Sequence, residues 1–224
     1  MNLQFTMLRF IFSTPASTPK AALLWDTGIL PMEQQIELKK MMFLHHLSTL
    51  PEGTLANQIY TQQKENHFPG LVTECLKLVE KYDLPNIIGG DNSAKDVYKN
   101  MIKTKLKESV SDKLKHEIES MSKLESINAK SENYEAKPYL AELNLAQART
   151  KFKLRSRMIE VKNNYKGKHA NLECEACERS LETQDHILFC PAYSELRSNK
   201  DLSNDTDLVN YFRDVLVFRE KLKK

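Results

Sequence analysis

The tightest constraint on this chain is a spacing near its C-terminus: Cys174, two residues, Cys177, eight residues, His186, three residues, Cys190. Two cysteines three positions apart fit a tight turn whose backbone aims both sulfurs at one point. A histidine and a cysteine four positions apart lie one helical turn apart and face the same way. A disulfide would use two of these cysteines and strand the third, whereas a metal uses all three and the histidine. Three thiolates and one imidazole close a tetrahedron and leave no position open to water, which is the chemistry of structural zinc. Cys174, Cys177, His186 and Cys190 are therefore the expected ligands of one structural Zn2+ ion. The competing reading is a chance cluster of buried cysteines, and both the spacing and the ligand choice argue against it. Thr183 is placed to cap the turn that carries His186, and Asp185 to orient its ring. His169 lies five residues before Cys174 and fits neither pair, so it is expected at the surface. His45, His46, His67 and His116 are expected to have no metal role, and Cys75, on an apolar helix face, reads as core. Metal-binding thiols also point to a reducing compartment, nucleus or cytoplasm.

Upstream of this constellation the apolar residues recur at helical spacing. Ile36, Met41, Met42, Leu44 and Leu47 predict a helix between Pro31, tolerated at a first turn, and Pro51. Thr54 to about Asn66 predicts a second, and Leu71, Val72, Cys75, Leu76 and Val79 a third. Gly89-Gly90-Asp91-Asn92 reads as a loop, followed by Ser93 with Asp96 as a short capping box. Val97, Met101, Leu106, Val110, Leu114, Ile118, Met121 and Leu124 then give one long amphipathic helix, or two broken near Ser109–Ser111. The polar residues 129–137 read as a linker, Pro138 to about Asn163 as a further helix, and Asp205 or Thr206 onward as a last one. The apolar run from Leu3 to Phe12 is interrupted by Gln4, Thr6 and Arg9, so it has neither the basic start nor the unbroken run of a signal peptide. No stretch approaches the roughly 20 apolar residues of a membrane span.

The net charge of +3 names no partner, but one stretch is strongly basic. From Arg149 to Lys168 eight cations (Arg149, Lys151, Lys153, Arg155, Arg157, Lys162, Lys166 and Lys168) face one acid, Glu160. Phe152, Leu154, Met158, Ile159 and Val161 interleave with them, so a helix here would bury an apolar stripe and present a cationic face that neutralises phosphates. The bland alternative is a solvated lysine face without a partner. The zinc loop itself is acidic: Glu173, Glu175, Glu178, Glu182 and Asp185 outnumber Arg179, which disfavours phosphate contact there.

Several phrases resemble a known family. Phe152-Lys153-Leu154-Arg155-Ser156-Arg157-Met158, Val161-Lys162-Asn163-Asn164-Tyr165, the Cys174 and Cys177 pair, and Glu182-Thr183-Gln184-Asp185-His186-Ile187-Leu188-Phe189-Cys190-Pro191 resemble the C-terminal region of non-LTR retrotransposon polyproteins. There a zinc-binding module follows the reverse transcriptase. Leu24-Trp25-Asp26-Thr27-Gly28-Ile29-Leu30-Pro31 and Lys39-Lys40-Met41-Met42-Phe43-Leu44-His45-His46-Leu47 resemble the helical segment after the palm in the same elements. The resemblance spans roughly residues 24–216 and implies a role in gripping nucleic acid. It does not carry polymerase activity over. Two-metal reverse transcription needs paired aspartates on a palm hairpin, and this chain has no Asp-Asp pair.

The expectation is a mainly α chain: a helical scaffold with a small C-terminal CCHC zinc module. Its expected parts are an irregular segment over 1–25, a helical region over 26–130, a linker and basic amphipathic helix over 131–170, and the zinc module with its C-terminal helix over 171–224. The expected function is non-catalytic binding of nucleic acid, DNA or RNA, through the basic helix, with no membrane association. The alternatives are a helical protein-interaction module that uses zinc for stability, and an unselected retroelement remnant.

Overall fold

The computed structural model describes residues 3–66, 69–84 and 95–222. Eleven α-helices and three short 3-10 segments account for the regular structure of these residues, and the only β-pairing among them is one isolated bridge, Glu173 with Leu181. The chain is mainly α, as the periodicity predicts. It divides into two units, one of Leu30–Leu114 and one that joins Met1–Ile29 to Lys115–Lys224.

In the Leu30–Leu114 unit the expected helices form close to their expected bounds: α3 is Met32–Ser48, α4 Leu55–Asn66 and α5 Leu71–Lys81. Pro31 stands just before α3, where a missing N–H costs no helical bond. Buried Asn57 ties the α3–α4 turn by donating from its amide to the carbonyls of Leu47 (3.3 Å) and Leu50 (3.2 Å). The long helix α6, Lys95–Glu119, runs through Ser109–Ser111 without a break. Tyr98, Ile102, Leu106, Val110, Leu114 and Ile118 are all buried, a strict step of four. At 3.6 residues per turn such a row winds round the helix by about 40° per step. The division between the two units falls within this helix, between Leu114 and Lys115. His45 is buried and stacks on Tyr98 at 4.5 Å, while His46 on the next position is exposed. Cys75 is fully buried, and burial pushes its thiol up to about 11, as suits a core residue. The expected loop over 89–92, the cap at Ser93 and His67 lie outside the described residues.

The other unit departs from expectation in three places. The segment 1–25 is not irregular: it holds α1, Leu3–Phe12, and most of α2, Lys20–Thr27. Phe5, Leu8 and Phe12 supply the inward face of α1, and Phe12 stacks on Phe152 at 4.2 Å. The polar residues 129–137 are not a free linker. Ala129 and Tyr134 are buried, and the Tyr134 hydroxyl donates to Ile29 O at 2.6 Å. Gly28 ends α2 at φ +61, and a Cβ there would sit 2.5 Å from the backbone nitrogen of Ala136, so the close approach of these two strands of chain requires glycine. Finally, the helix expected over 138–163 is two. α7 is Tyr139–Glu142; Asn144 then forms a reciprocal capping box with Gln147 and starts α8, Leu145–Arg155. The chain leaves the helix at Ser156, and Arg157 adopts φ +50. An irregular segment with 3-10 turns, Lys162–Lys168, follows, then α9 (Gln184–Phe189), α10 (Ser194–Arg197) and α11 (Asp205–Leu222).

Candidate metal centre

Local backbone geometry brings the four ligands together. The bridge between Glu173 and Leu181 closes a loop, with Cys174 N donating to Ser180 O and Glu182 N to Leu172 O, both at 2.8 Å. Inside it Glu178 N reaches back to Cys174 O at 2.9 Å, and Glu178 itself takes φ +53. This is the tight turn that the two-residue spacing implies, and it faces Cys177 and Cys174 the same way. Of the other two, His186 lies on α9 and Cys190 is the residue that ends it. Thr183 caps it, accepting from His186 N at 2.9 Å, so His186 and Cys190 are set one turn apart.

The ligand atoms of Cys174, Cys177, His186 and Cys190 all lie within 4.8 Å of one another. Cys174 Sγ is 3.9 Å from Cys190 Sγ, and Cys177 Sγ is 3.3 Å from His186 Nε2. A tetrahedron with metal–sulfur bonds of about 2.3 Å has edges of roughly 3.8 Å, and sulfur–nitrogen edges slightly shorter. The cluster therefore has the size and donor number to hold one metal ion. Burial pushes the Cys190 thiol up to about 12, with the neighbouring thiols adding to the rise. Burial opposes ionisation of Cys177 as well, but the amides of Arg179 and Ser180 and the neighbouring thiols outweigh it and hold that thiol below its ordinary range. Three thiolates at once need a cation to balance them.

The cluster is part of a hydrophobic core. Cys174 and Cys190 are buried with Leu154, Ile159, Val161, Ile187, Tyr193 and the inward face of α11, namely Val209, Tyr211, Phe212 and Val215. One side chain of the acidic loop is internal: Glu182 is fully buried and pairs with Arg219 of α11 at 2.7 Å, while its Oε1 accepts from Lys162 N at 3.0 Å. Asp185 faces Arg157 at 3.6 Å. His169 and His116 are exposed.

The eight basic residues do not share one cationic face. Arg149 donates from Nε to Ile11 O at 2.6 Å, and Lys151 pairs with Asp205. Lys153 meets Glu160 at 3.2 Å, Arg157 meets Asp185, and Lys162 meets Glu175 at 3.6 Å and Glu173 O at 2.9 Å. Arg155 is the most deeply committed. It donates to both carboxylate oxygens of Asp26 (3.0 and 3.3 Å) and to Glu132 at 2.7 Å. Asp26 is fully buried and also accepts from the Tyr139 hydroxyl at 2.8 Å; Glu132 accepts from Lys137 (2.8 Å) and from the Trp25 indole N–H (3.3 Å). Burial pushes the Asp26 carboxyl up, against the pull of the guanidinium. Lys166 and Lys168 are exposed and form no ion pair among the described residues.

Asp26, Glu132, Tyr139, Glu182 and Arg219 carry no sequence signal that marks them as partners, since each pairs across a long separation in the chain. Asp26 and Arg155 do sit in two of the phrases that carry the family resemblance, and these phrases meet at this ion pair. No family model matches the chain, and neither curated proteins nor solved structures give a match to it.

Proposed function

We propose that this chain is a non-catalytic helical module whose larger unit is organised round one structural zinc ion, and that it binds nucleic acid as a relative of the region that follows the palm in non-LTR retroelement reverse transcriptases. The observation that carries the zinc assignment is the closed donor set. Three sulfurs and one ring nitrogen within 4.8 Å of one another fill a tetrahedron, and soft thiolate ligands in that geometry select zinc. With every position taken by protein the ion has no place for a substrate, so its work is to fold the loop. Metal analysis of the purified chain tests this: about one zinc per molecule is expected, and Cys177→Ser should lose most of it. Full retention of metal by that variant would refute the ligand assignment.

The nucleic-acid reading rests on the cations that the fold leaves without an ion pair among the described residues, Lys166 and Lys168, in the segment before the candidate metal loop. The absence of an Asp-Asp pair from the sequence is what supports the non-catalytic reading. Primer extension with a matched template and magnesium is its test, with no product expected.

A second reading, protein interaction, has an observation of its own. Leu3, Met7 and Phe10 of α1 are 70%, 55% and 81% exposed and recur at helical spacing. Salt separates the two, because phosphate contact weakens steeply with ionic strength and apolar contact does not.

A further inference from the structure

Of the eight cations between Arg149 and Lys168, six meet a carboxylate or a backbone carbonyl of this chain. The remaining two, Lys166 and Lys168, flank Gly167 in the irregular segment Lys162–Lys168. A third lysine joins them from far along the sequence: Lys123, in the 3-10 turn Ser122–Leu124 after α6, lines the same cleft. The cleft measures about 480 Å³ and is lined by Lys123, Asn163, Asn164, Tyr165 and the Lys166-Gly167-Lys168 tripeptide. Among the described residues, no carboxylate lines it.

The wall of the cleft is held in place. The Tyr165 hydroxyl donates to Met158 O at 2.9 Å, Asn164 Nδ2 donates to Ile159 O at 3.0 Å, and Asn163 N donates to Glu182 O at 3.1 Å. The last bond ties the cleft to the residue that Arg219 buries beside the metal centre. Lys168 Nζ stands 5.5 Å from the centroid of the Tyr165 ring, so cation and ring act at one spot. Nothing lies within 4 Å of where a Cβ on Gly167 would project, which leaves the backbone there open to approach.

We infer that this cleft, and not the face of α8, is where the chain binds single-stranded nucleic acid, with Lys123, Lys166 and Lys168 meeting phosphates and the Tyr165 ring stacking on an unpaired base. The inference rests on the nucleic-acid reading above and locates it. Its chemistry is the combination of cations for a backbone with an aromatic platform for a base. The cleft volume is within the range of small-ligand sites and takes about one nucleotide at a time. A base paired inside a duplex offers no face to Tyr165, so the occupant is single-stranded.

The test is fluorescence anisotropy on the zinc-loaded full chain with labelled oligo(dT) and oligo(U) twelve-mers and a blunt duplex, at several salt concentrations. If each of the three lysines meets one phosphate, the log–log salt slope on the single strands is about −2. The triple variant Lys123→Gln, Lys166→Gln, Lys168→Gln should bring that slope close to zero. The pair Arg149→Gln, Lys151→Gln should leave it unchanged. Tyr165→Leu should weaken single-strand binding about five- to a hundredfold, while Tyr165→Phe, which keeps the ring and loses only the hydroxyl, should retain it. Zinc content and the circular dichroism spectrum of each variant show that it is folded. Tighter binding of oligo(U) than of oligo(dT), or the reverse, names the natural strand and supports the cleft in either case. Single-strand binding whose slope ignores the lysine triple, or equal binding of the duplex with no effect of Tyr165→Leu, overturns the cleft alone. No binding by the unaltered chain overturns both the cleft and the nucleic-acid half of the proposed function.

Discussion

Between Leu30 and Leu114 the helices are held by apolar faces with their charges outside, whereas the unit formed by Met1–Ile29 and Lys115–Lys224 takes charges into its interior and pairs them there. In the first unit the ion pairs Lys40–Glu74, Lys81–Glu37 and Lys105–Glu108 all keep a well-exposed lysine. In the second, Asp26 and Glu182 are fully buried and each is held by an arginine, Arg155 and Arg219. Cys174 and Cys190 of the candidate metal-binding cluster lie in that interior as well. The difference is one of specificity. An apolar helix face accepts neighbours of roughly the right size, but a buried carboxylate accepts only the partner that neutralises it. Breaking such a pair costs far more than breaking one in water.

Metal removal should separate the two units most strongly. Structural zinc contributes folding free energy directly, on the order of 10 kcal/mol in small zinc modules. Chelation, or Cys177→Ser, should strip hydrogen-exchange protection from Cys174–Cys190 and from the inward face of α11, which shares their core. Protection in α3, α4 and α5 should persist. Equal loss in both units would show that they unfold as one body.

The next largest effect concerns the buried pairs. Arg155→Met leaves Asp26 and Glu132 without their guanidinium and should destabilise by about 3–5 kcal/mol. Lys81→Met, which breaks a half-exposed pair in the other unit, should cost at most about 1 kcal/mol. Urea denaturation of the two variants reads the contrast, and adding Asp26→Leu to Arg155→Met should recover part of the loss. Similar costs for both single variants would remove the distinction between the units. Within the apolar unit, Ile102→Val, at a fully buried position of α6, should cost about 0.5–1.5 kcal/mol by the same measurement.

The same contrast explains what the sequence discloses. α3, α4, α5, α6 and α11 could be read off because periodicity is a local signal of a buried face, and the four residues of the candidate metal cluster because both pairs sit within one turn of chain. Arg155 could not be placed: along the sequence it is one cation among eight, and the carboxylate that engages its guanidinium is Asp26, 129 residues away. Glu182 misleads for the same reason. Counted with its neighbours it makes the loop acidic, yet Arg219 of α11 draws it inside. The end of α8 at Arg155 is also hidden, since the apolar residues Met158, Ile159 and Val161 continue the pattern after the backbone has left the helix at Ser156 and turned at Arg157. Charge and apolarity count residues along the chain; they do not say which distant residue answers them.

The smallest expected effect concerns pH and the Arg155 cluster. Its two carboxylates move in opposite directions. Burial works against ionisation of Glu132, but hydrogen bonds and attraction from Arg155 and Lys137 outweigh it and hold the carboxyl below its ordinary range. At Asp26 burial prevails and the carboxyl is raised. A depressed folded pKa means that Glu132 contributes stability above its unfolded value of about 4.3, and loses it as pH falls through the folded one. A raised folded pKa has the reverse sign: the contribution of Asp26 is present below its unfolded value, about 3.9, and is lost as pH rises through the folded one. Glu132→Gln removes the first contribution and leaves the second. Thermal melts of the two proteins from pH 6 downward should therefore converge as the acid limb is entered, with the unaltered chain losing its advantage there. Thiol protonation and metal release act on both proteins alike and cancel in the difference, which zinc content measured at each pH confirms. A difference in melting temperature that stays constant across the acid limb would mean that Glu132 is not held ionised by Arg155, and that the guanidinium serves Asp26 alone.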